Sequence, residues 1–306
     1  MDIDEIKRKL QIFATSEIVE QLKLYYYKTS SWEVANIARK EIRHTLFLNC
    51  FFNNKEFNNY ACMRLIALLH IYAGLQETSH FPEELAESFL IRGLEILSCS
   101  SSAEVSFCDN NYGEGYLDLL ITCNVKLNKN EEKKLNILIE NKIDYPETKK
   151  KKGNKILYQT DAYHTHITEN YPNDINLFVF LKPITNYDLN NLTKPECKNE
   201  HYIQINYQQL LDCVIQPVLE KINPTSNAYF LIENYIRALG KPTETENQND
   251  ITIMAIQKKE KELLKKFFEQ NEDLIRAAID NIGDKELSAA MNKTPKAGTR
   301  LYRIKK

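Results

Sequence analysis

Apolar residues recur at helical spacing along the first third of the chain. Ile6, Leu10 and Phe13 are separated by three or four positions, and Met63 and Ile66 begin a similar series. This period predicts amphipathic helices whose apolar stripes face a core. We therefore expect residues 1–100 to form a helical N-terminal region that contributes the first helix of that core.

From about residue 101 the pattern changes to short apolar runs separated by turn residues. Runs of this length predict strands, and a run that is apolar throughout predicts a strand buried on both faces. The predicted strands cover residues 104–107, 116–123, 135–143, 175–181 and 202–206. The first three are expected to form a meander.

Helical spacing returns between and after these strands. Further helices are predicted at residues 158–170, 210–222, 228–239 and 254–279, and Pro217 is expected to kink the second of them. Residues 101–240 would then form an α/β core. After a polar linker, residues 251–306 are expected to form a C-terminal helix and a basic tail.

Composition limits the partners that the chain can have. The 306 residues are 43% hydrophobic and carry a formal charge of -2, which excludes a uniformly basic nucleic-acid coat. The seven cysteines include no CxxC pair, so free thiols in a reducing cytosol are expected rather than a zinc knuckle or a disulfide framework. No apolar stretch reaches the roughly 18 residues of a membrane helix. We expect a cytoplasmic protein without a membrane partner.

Two apolar strands are each interrupted by a carboxylate. The run from Leu135 to Ile139 leads directly into Glu140, Asn141 and Lys142, and alternation along a strand places Glu140 and Lys142 on one face. Asp118 interrupts the preceding predicted strand in the same way.

An ion pair at the end of a strand would explain Glu140 and Lys142 alone. Two carboxylates on neighbouring strands, however, repel each other unless a cation neutralises them. Oxygen ligands with no Cys or His nearby suit Mg²⁺ or Mn²⁺.

The order of these residues resembles the PD-(D/E)xK nuclease superfamily. Asp118 followed by Glu140-x-Lys142 on the next strand matches the pattern for which it is named, and Gln159 with Tyr163 matches the QxxxY motif that many members carry on the following helix. The chain departs from the pattern just before Asp118, where it has neither the usual Pro nor the Arg of many bacterial relatives.

The likeness extends over about residues 37–240. The run from Glu41 to Thr45, which contains His44, is similar to the early helical motif of an uncharacterised bacterial branch. The resemblance implies a restriction-endonuclease-like fold, in which helices flank a central mixed sheet. It also implies a Mg²⁺-dependent endonuclease that acts on DNA, with Mn²⁺ able to substitute.

The resemblance also implies roles for individual residues. Asp118, Glu140 and the backbone carbonyl of Asn141 would ligate the metal, and Lys142 would orient the attacking water or help to deprotonate it. The catalytic set would be completed by residues that position the water or the scissile phosphate, or that add a carboxylate: Gln159, Tyr163 and Glu41.

Several of these assignments have ordinary structural alternatives. Glu41 could be a solvated helix residue. Glu104 on the first strand could approach the other carboxylates, but a carboxylate on an edge strand is usually solvated, and this is what we expect. His44 is expected to pack or form hydrogen bonds. His164 and His166 would point to different faces of their helix, so a zinc site is not expected.

Two basic segments could bind phosphates or could be solvated. The run Lys149, Lys150, Lys151 and Lys152, followed by Lys155, is expected to lie in a loop between the Glu140 strand and the Gln159 helix. The last 22 residues, which include Arg300 and Arg303, contain seven Lys or Arg and one Glu. They could be a solubilising tail or an arm that grips nucleic acid.

Two alternative functions stay open. The same fold could act on RNA or nick a particular nucleic-acid structure, because no motif distinguishes ribose from deoxyribose. The chain could also be a non-catalytic binding module, although the presence of Asp118, Glu140 and Lys142 together argues against this. The sequence leaves the oligomeric state open, and a homodimer is one possibility. Roles in restriction, defence or repair are suggested only by what members of the superfamily commonly do.

Overall fold

The computed structural model describes residues 3–38, 40–76, 80–109, 112–128, 131–143, 147–152, 155–183, 197–240, 243–244, 251–252 and 254–280. Numbered along the chain, its helices are α1 (Ile3–Ala14), α2 (Glu17–Tyr27), α3 (Ser31–Val34), α4 (Glu41–Asn53), α5 (Asn58–Leu75), α6 (Glu83–Leu90), α7 (Gln159–Asn170), α8 (Tyr207–Leu210), α9 (Gln216–Leu219), α10 (Asn227–Leu239) and α11 (Lys258–Asp280). Its strands are β1 (Glu95–Asp109), β2 (Gly113–Lys126), β3 (Glu132–Asn141), β4 (Lys149–Lys152), β5 (Lys155–Tyr158), β6 (Ile175–Lys182), β7 (Tyr202–Asn206), β8 (Thr243–Glu244) and β9 (Ile251–Thr252).

The chain divides into two compact units, formed by residues 1–30 with 256–306 and by residues 31–255. In the first unit, α1, α2 and α11 share an apolar core in which the rings of Phe13 and Phe267 meet edge to face, with centroids 5.4 Å apart. These two units are defined by contacts in space, and the first of them combines both ends of the chain. They therefore do not test the division along the sequence at residues 100 and 240, which stays a prediction.

The second unit is built on a five-stranded sheet of order β1-β2-β3-β6-β7. The first three strands pair antiparallel as the predicted meander, whereas β6 runs parallel to both β3 and β7. The predicted fold class, a mixed central sheet flanked by helices, is confirmed. None of the helices in the described residues is long and apolar enough to cross a membrane.

Alternation along the strands divides the core into two layers. On one face Leu135, Ile137 and Ile139 of β3 belong to the large core that also includes α4 and α5, and on the other face Leu138 packs with the apolar residues of α7. Glu140 follows Leu138 by two positions. It therefore belongs to the α7 side of the sheet, together with Lys142.

Two sequence predictions differ from the observed elements. β1 begins at Glu95 and extends for 15 residues, well beyond the short strand predicted at residues 104–107. The helix predicted at residues 210–222 is interrupted just before Pro217. A π-helical turn at Leu211–Ile215 separates α8 from α9, and the carbonyl of Cys213, four residues before the proline that has no N–H to offer it, accepts a hydrogen bond from Arg64 Nε at 2.8 Å instead.

Candidate active site

Asp118 and Glu140 stand on neighbouring strands, just beyond the last pair of the β2–β3 ladder, Leu119 with Ile139. Asp118 Oδ2 accepts a hydrogen bond from the backbone N–H of Asn141 at 2.8 Å. Asp118 is partly buried, and Glu140 is completely buried. The structure therefore brings the two predicted carboxylates together.

Lys142 and Glu41 complete a four-residue cluster with these carboxylates. Lys142 Nζ lies 2.8 Å from Glu140 Oε1 and 3.6 Å from Glu41 Oε2. Glu41 begins α4, and its other oxygen accepts a hydrogen bond from the backbone N–H of Ile143 at 3.3 Å. We call Glu41, Asp118, Glu140 and Lys142 the carboxylate cluster.

The protonation of the carboxylate cluster is set by burial and by charge. Burial raises the pKa of Asp118 to about 6, against the opposing effect of Lys142 and the N–H of Asn141. Burial and the charge of Asp118 also raise the pKa of Glu140 well above its ordinary value. For Lys142, burial favours the neutral amine, but the carboxylates Glu140, Asp118 and Glu41 outweigh it and raise the pKa. The cluster thus holds protons tightly when nothing else neutralises its carboxylates.

The donor set of the cluster fits a hard divalent cation. Both carboxylate oxygens of Glu140 are buried, and in the described part of the chain the cation in contact with them is Lys142, at 2.8 Å from Oε1. A buried carboxylate beside a second carboxylate is costly unless a further cation is bound. Carboxylate and carbonyl oxygens are the ligands that Mg²⁺ and Mn²⁺ prefer.

The side chain of Asn141 points to the opposite face of β3. Its Nδ2 donates to the backbone carbonyl of Glu41 and to Thr45 Oγ1, both at 3.2 Å, and its Oδ1 accepts from Tyr207 Oη at 2.8 Å. The amide is therefore fully engaged with α4 and α8. Any ligand that Asn141 offers to a metal must therefore come from its backbone carbonyl, the atom that the resemblance to the superfamily implies.

Gln159 and Tyr163 face the same side of the sheet from the first two turns of α7. Gln159 Nε2 donates to the hydroxyl of Tyr163, and that hydroxyl donates to the backbone carbonyl of Tyr116 on β2. Tyr163 is buried, and burial, Glu140 and Asp118 raise its pKa. Gln159 Oε1 is buried without a hydrogen-bond partner among the described residues. The hydroxyl is thus engaged within the protein, whereas the amide oxygen is left to accept from a ligand.

Glu104 was expected to be a solvated edge-strand residue, and the structure does not support this. Its neighbours Ala103 and Val105 pair with Leu119 and Leu117, which places Glu104 opposite Asp118. The residue is half-buried, and its φ of 53° is a left-handed conformation that costs a non-glycine residue energy. Burial raises its pKa against the influence of Lys142, so its carboxylate belongs to the same electrostatic environment.

Sequence reasoning missed two further polar residues near the cluster. Tyr202 on β7 is buried with no hydrogen-bond partner for its hydroxyl in the described part of the chain, and Glu140 contributes to its raised pKa, after burial. Glu147 accepts hydrogen bonds from the backbone N–H and the hydroxyl of Thr160 in the first turn of α7. A hydroxyl on a fully buried strand was the available signal for Tyr202, whereas nothing in the sequence marks Glu147.

The lysine run forms a hairpin, not the predicted loop. Residues 149–152 form β4, which pairs antiparallel with β5, so successive lysines alternate between faces. The side chains of Lys149, Lys150 and Lys151 are all exposed, and Lys150 Nζ lies 3.9 Å from the centroid of the Tyr112 ring and donates to the Tyr112 carbonyl at 3.1 Å. Nothing is described of the side chains of Lys152 and Lys155, and Arg300 and Arg303 lie outside the described residues.

His44 has the structural role expected of it. The ring is buried between hydrogen bonds to Tyr235 Oη at 3.1 Å and to the carbonyl of Ala38 at 2.9 Å. Both ring nitrogens are therefore used in packing α4, and His44 is not a ligand of the carboxylate cluster.

Comparison with known proteins agrees with this geometry. A sequence model described as the PD-(D/E)XK nuclease superfamily matches residues 30–237, which include every member of the carboxylate cluster and both residues of the QxxxY motif. Neither the curated proteins nor the solved structures gave a match. With two thirds of its length matched, the chain belongs to the PD-(D/E)XK nuclease superfamily.

Proposed function

We propose that the protein is a Mg²⁺-dependent endonuclease that hydrolyses phosphodiester bonds in DNA. The observation that carries the proposal is Glu140, a completely buried carboxylate that lies beside the carboxylate of Asp118 and in contact with Lys142. Superfamily membership supports nuclease chemistry, which divalent metal ions generally assist.

The residues of the carboxylate cluster have distinct roles in this proposal. Asp118, Glu140 and the backbone carbonyl of Asn141 hold the metal. A bound divalent cation supplies a Lewis acid for a phosphate oxygen and lowers the pKa of a bound water. The N–H of Asn141 orients the carboxylate of Asp118 before the metal arrives.

Lys142 acts as a cation rather than as a base. Its three carboxylate neighbours raise its pKa, so the ammonium stays protonated at neutral pH. A protonated Lys142 donates a hydrogen bond to the attacking water and offsets the negative charge that develops on the phosphorus oxygens. Glu41 keeps this ammonium in place from the start of α4.

Gln159 provides a second contact for the attacking water. Its amide nitrogen is bound to Tyr163, which leaves Oε1 free of protein partners in the described residues. An amide oxygen so placed accepts a proton of the water and sets its direction of attack. Tyr163 is then a positioning residue, because it acts through Gln159 and the backbone of β2.

Cleavage assays on defined substrates test the proposal. The full chain is incubated with supercoiled circular DNA, linear duplex, single-stranded DNA and RNA, each with Mg²⁺ and with excess chelator, beside Glu140→Gln as the inactive control. Mg²⁺-dependent opening of circular DNA by the wild type alone supports the proposal. Cleavage confined to RNA would assign the ribonuclease alternative, and the absence of cleavage of every substrate would favour a binding module.

A further inference from the structure

Three imidazole rings meet on the second unit, although they are far apart in the sequence. His80 lies just before α6, His164 is on α7 and His201 precedes β7. The rings of His164 and His201 are stacked, with centroids 4.1 Å apart and planes 17° apart, and the centroids of His80 and His201 are 4.5 Å apart. Half of the six histidines in the chain therefore occupy one small region.

A carboxylate completes a set of possible metal ligands in this region. Ligand atoms of His80, Glu200 and His201 all lie within 4.8 Å of one another. Two ligands bound at about 2.0–2.2 Å to one ion lie up to roughly 4 Å apart, so small side-chain rotations would close the set around an ion. His80 and Glu200 are exposed, so their side chains can rotate toward the half-buried His201.

The segment that carries two of these residues is held against α7. Asn199 Nδ2 donates to Asp161 Oδ1 at 2.9 Å, and Asn199 Oδ1 accepts from the backbone N–H of His201 at 2.9 Å. Stacking on His164 fixes the face of the His201 ring and leaves its edge, which bears both nitrogens, for ligation.

We propose that His80, Glu200 and His201 bind a transition-metal ion, best matched by Zn²⁺. Imidazole nitrogens with one carboxylate suit zinc, and three protein ligands leave a fourth position for water. This site shares no residue with the carboxylate cluster, whose all-oxygen donors suit Mg²⁺. A bound ion would join the residue before α6 to the segment before β7, beside the helix that carries Gln159.

Calorimetric titration of the metal-free full chain with Zn²⁺, in millimolar Mg²⁺, tests the proposal. Mg²⁺ competes for the carboxylate cluster and not for imidazoles. The wild type should bind one Zn²⁺ that Mg²⁺ does not displace. His80→Ala and Glu200→Gln should each weaken this binding by more than the roughly 10- to 100-fold that follows the loss of an outer-sphere partner.

His166→Ala is the matched control, since His166 lies on α7 outside the cluster, and it should bind Zn²⁺ as the wild type does. Unchanged affinity in His80→Ala and Glu200→Gln, or complete displacement of Zn²⁺ by Mg²⁺, would overturn the proposal. Co²⁺ added to the wild type in the same buffer gives a readout that needs no variant. Visible bands of four-coordinate Co²⁺ support the site, and the weak spectrum of six-coordinate Co²⁺ contradicts it.

Discussion

Asp118 Oδ2 accepts a hydrogen bond from the backbone N–H of Asn141 at the point where the β2–β3 ladder ends. The last paired residues of the ladder are Leu119 and Ile139. Beyond them, the side chain of Asp118 on β2 takes the place of a backbone carbonyl as the acceptor for the N–H of Asn141 on β3. The hydrogen bond satisfies a buried N–H and fixes the direction of a carboxylate in the candidate active site. One contact thus serves both the sheet and the chemistry.

Asp118→Asn and Glu140→Gln should each reduce the cleavage rate to the background rate measured in buffer without enzyme. Each removes one of the two carboxylates that we assign to the metal, and residues that act as a unit do not give additive losses. The double variant should therefore be no less active than either single variant. Steady-state rates on circular DNA measure this, and a wild-type rate in Glu140→Gln, with an unchanged melting temperature, would refute the assignment.

The metal-free protein should become more stable as the pH falls toward 4. The native pKa of Asp118, about 6, is above the ordinary value of about 3.9, so the folded state binds more protons than the unfolded state between these values. The resulting stabilisation is fully present below about pH 4 and is lost as the pH rises through 6. The free energy of unfolding should fall by up to about 1.4 kcal/mol per pH unit in this window.

Urea denaturation in excess chelator, from pH 4 to 7, measures the effect for the wild type and Asp118→Asn. The difference between the free energies of unfolding of the two proteins removes the contribution of carboxylates outside the carboxylate cluster. The variant should show a flatter dependence on pH, and parallel curves would contradict the assigned shift.

Lys142→Met should destabilise the metal-free protein at neutral pH by about 3–5 kcal/mol, since it leaves the buried Glu140 without its cation. A saturating divalent metal should recover part of this loss, because it neutralises the same carboxylates. Chemical denaturation with and without Mg²⁺ compares the two states. If Mg²⁺ stabilises the variant no more than it stabilises Glu140→Gln, the metal does not bind beside Lys142.

Tyr163→Phe should affect stability more than catalysis. The hydroxyl links Gln159 to the carbonyl of Tyr116, and loss of a buried hydrogen bond costs about 1–3 kcal/mol. The rate constant kcat should stay within about tenfold of the wild type, because the hydroxyl contacts protein groups. Tyr171→Phe, at an exposed position just after α7, is the control. A loss of kcat equal to that of Glu140→Gln would mean that Tyr163 contacts the reacting groups.

Lys149 and Lys151 should contribute to nucleic-acid affinity, whereas Lys150 should not. All three lysines are exposed on β4, but the ammonium of Lys150 is already engaged by the ring and the backbone carbonyl of Tyr112. Each phosphate contact adds about -0.9 to the slope of log affinity against log salt on duplex DNA. The double variant Lys149→Gln, Lys151→Gln should make this slope less negative, by the equivalent of up to two phosphate contacts. Fluorescence anisotropy at several salt concentrations measures the slope, and Lys150→Gln is the matched control. Equal slopes in all three proteins would exclude this strand from the interface.

The meander of the first three strands and the chemistry at their ends could be predicted from the sequence. An apolar run that leads into Glu140, and a lone Asp118 in the strand before it, carry enough local information to place two carboxylates together. The alternation of strand side chains then assigns Lys142 to the same face. These inferences need only residues that are close in the sequence and the antiparallel pairing of two consecutive strands, β2 and β3.

Contacts between distant segments could not be predicted in the same way. Glu104 lies opposite Asp118 because of the register of the long β1–β2 ladder, which composition does not encode. The stacking of His164 on His201 depends on how α7 meets the segment before β7. The lysines of β4 form a strand despite poor intrinsic preference, since pairing with β5 overrides propensity.

Asn141 makes α4 and β3 a single mechanical element. Its amide is bonded at once to the Glu41 carbonyl, to Thr45 and to Tyr207, while the backbone on either side of it carries Glu140 and Lys142. A force that displaces α4 must break these bonds or move the catalytic strand with the helix. The position of α4 and the position of Glu140 and Lys142 are therefore coupled through one amide group.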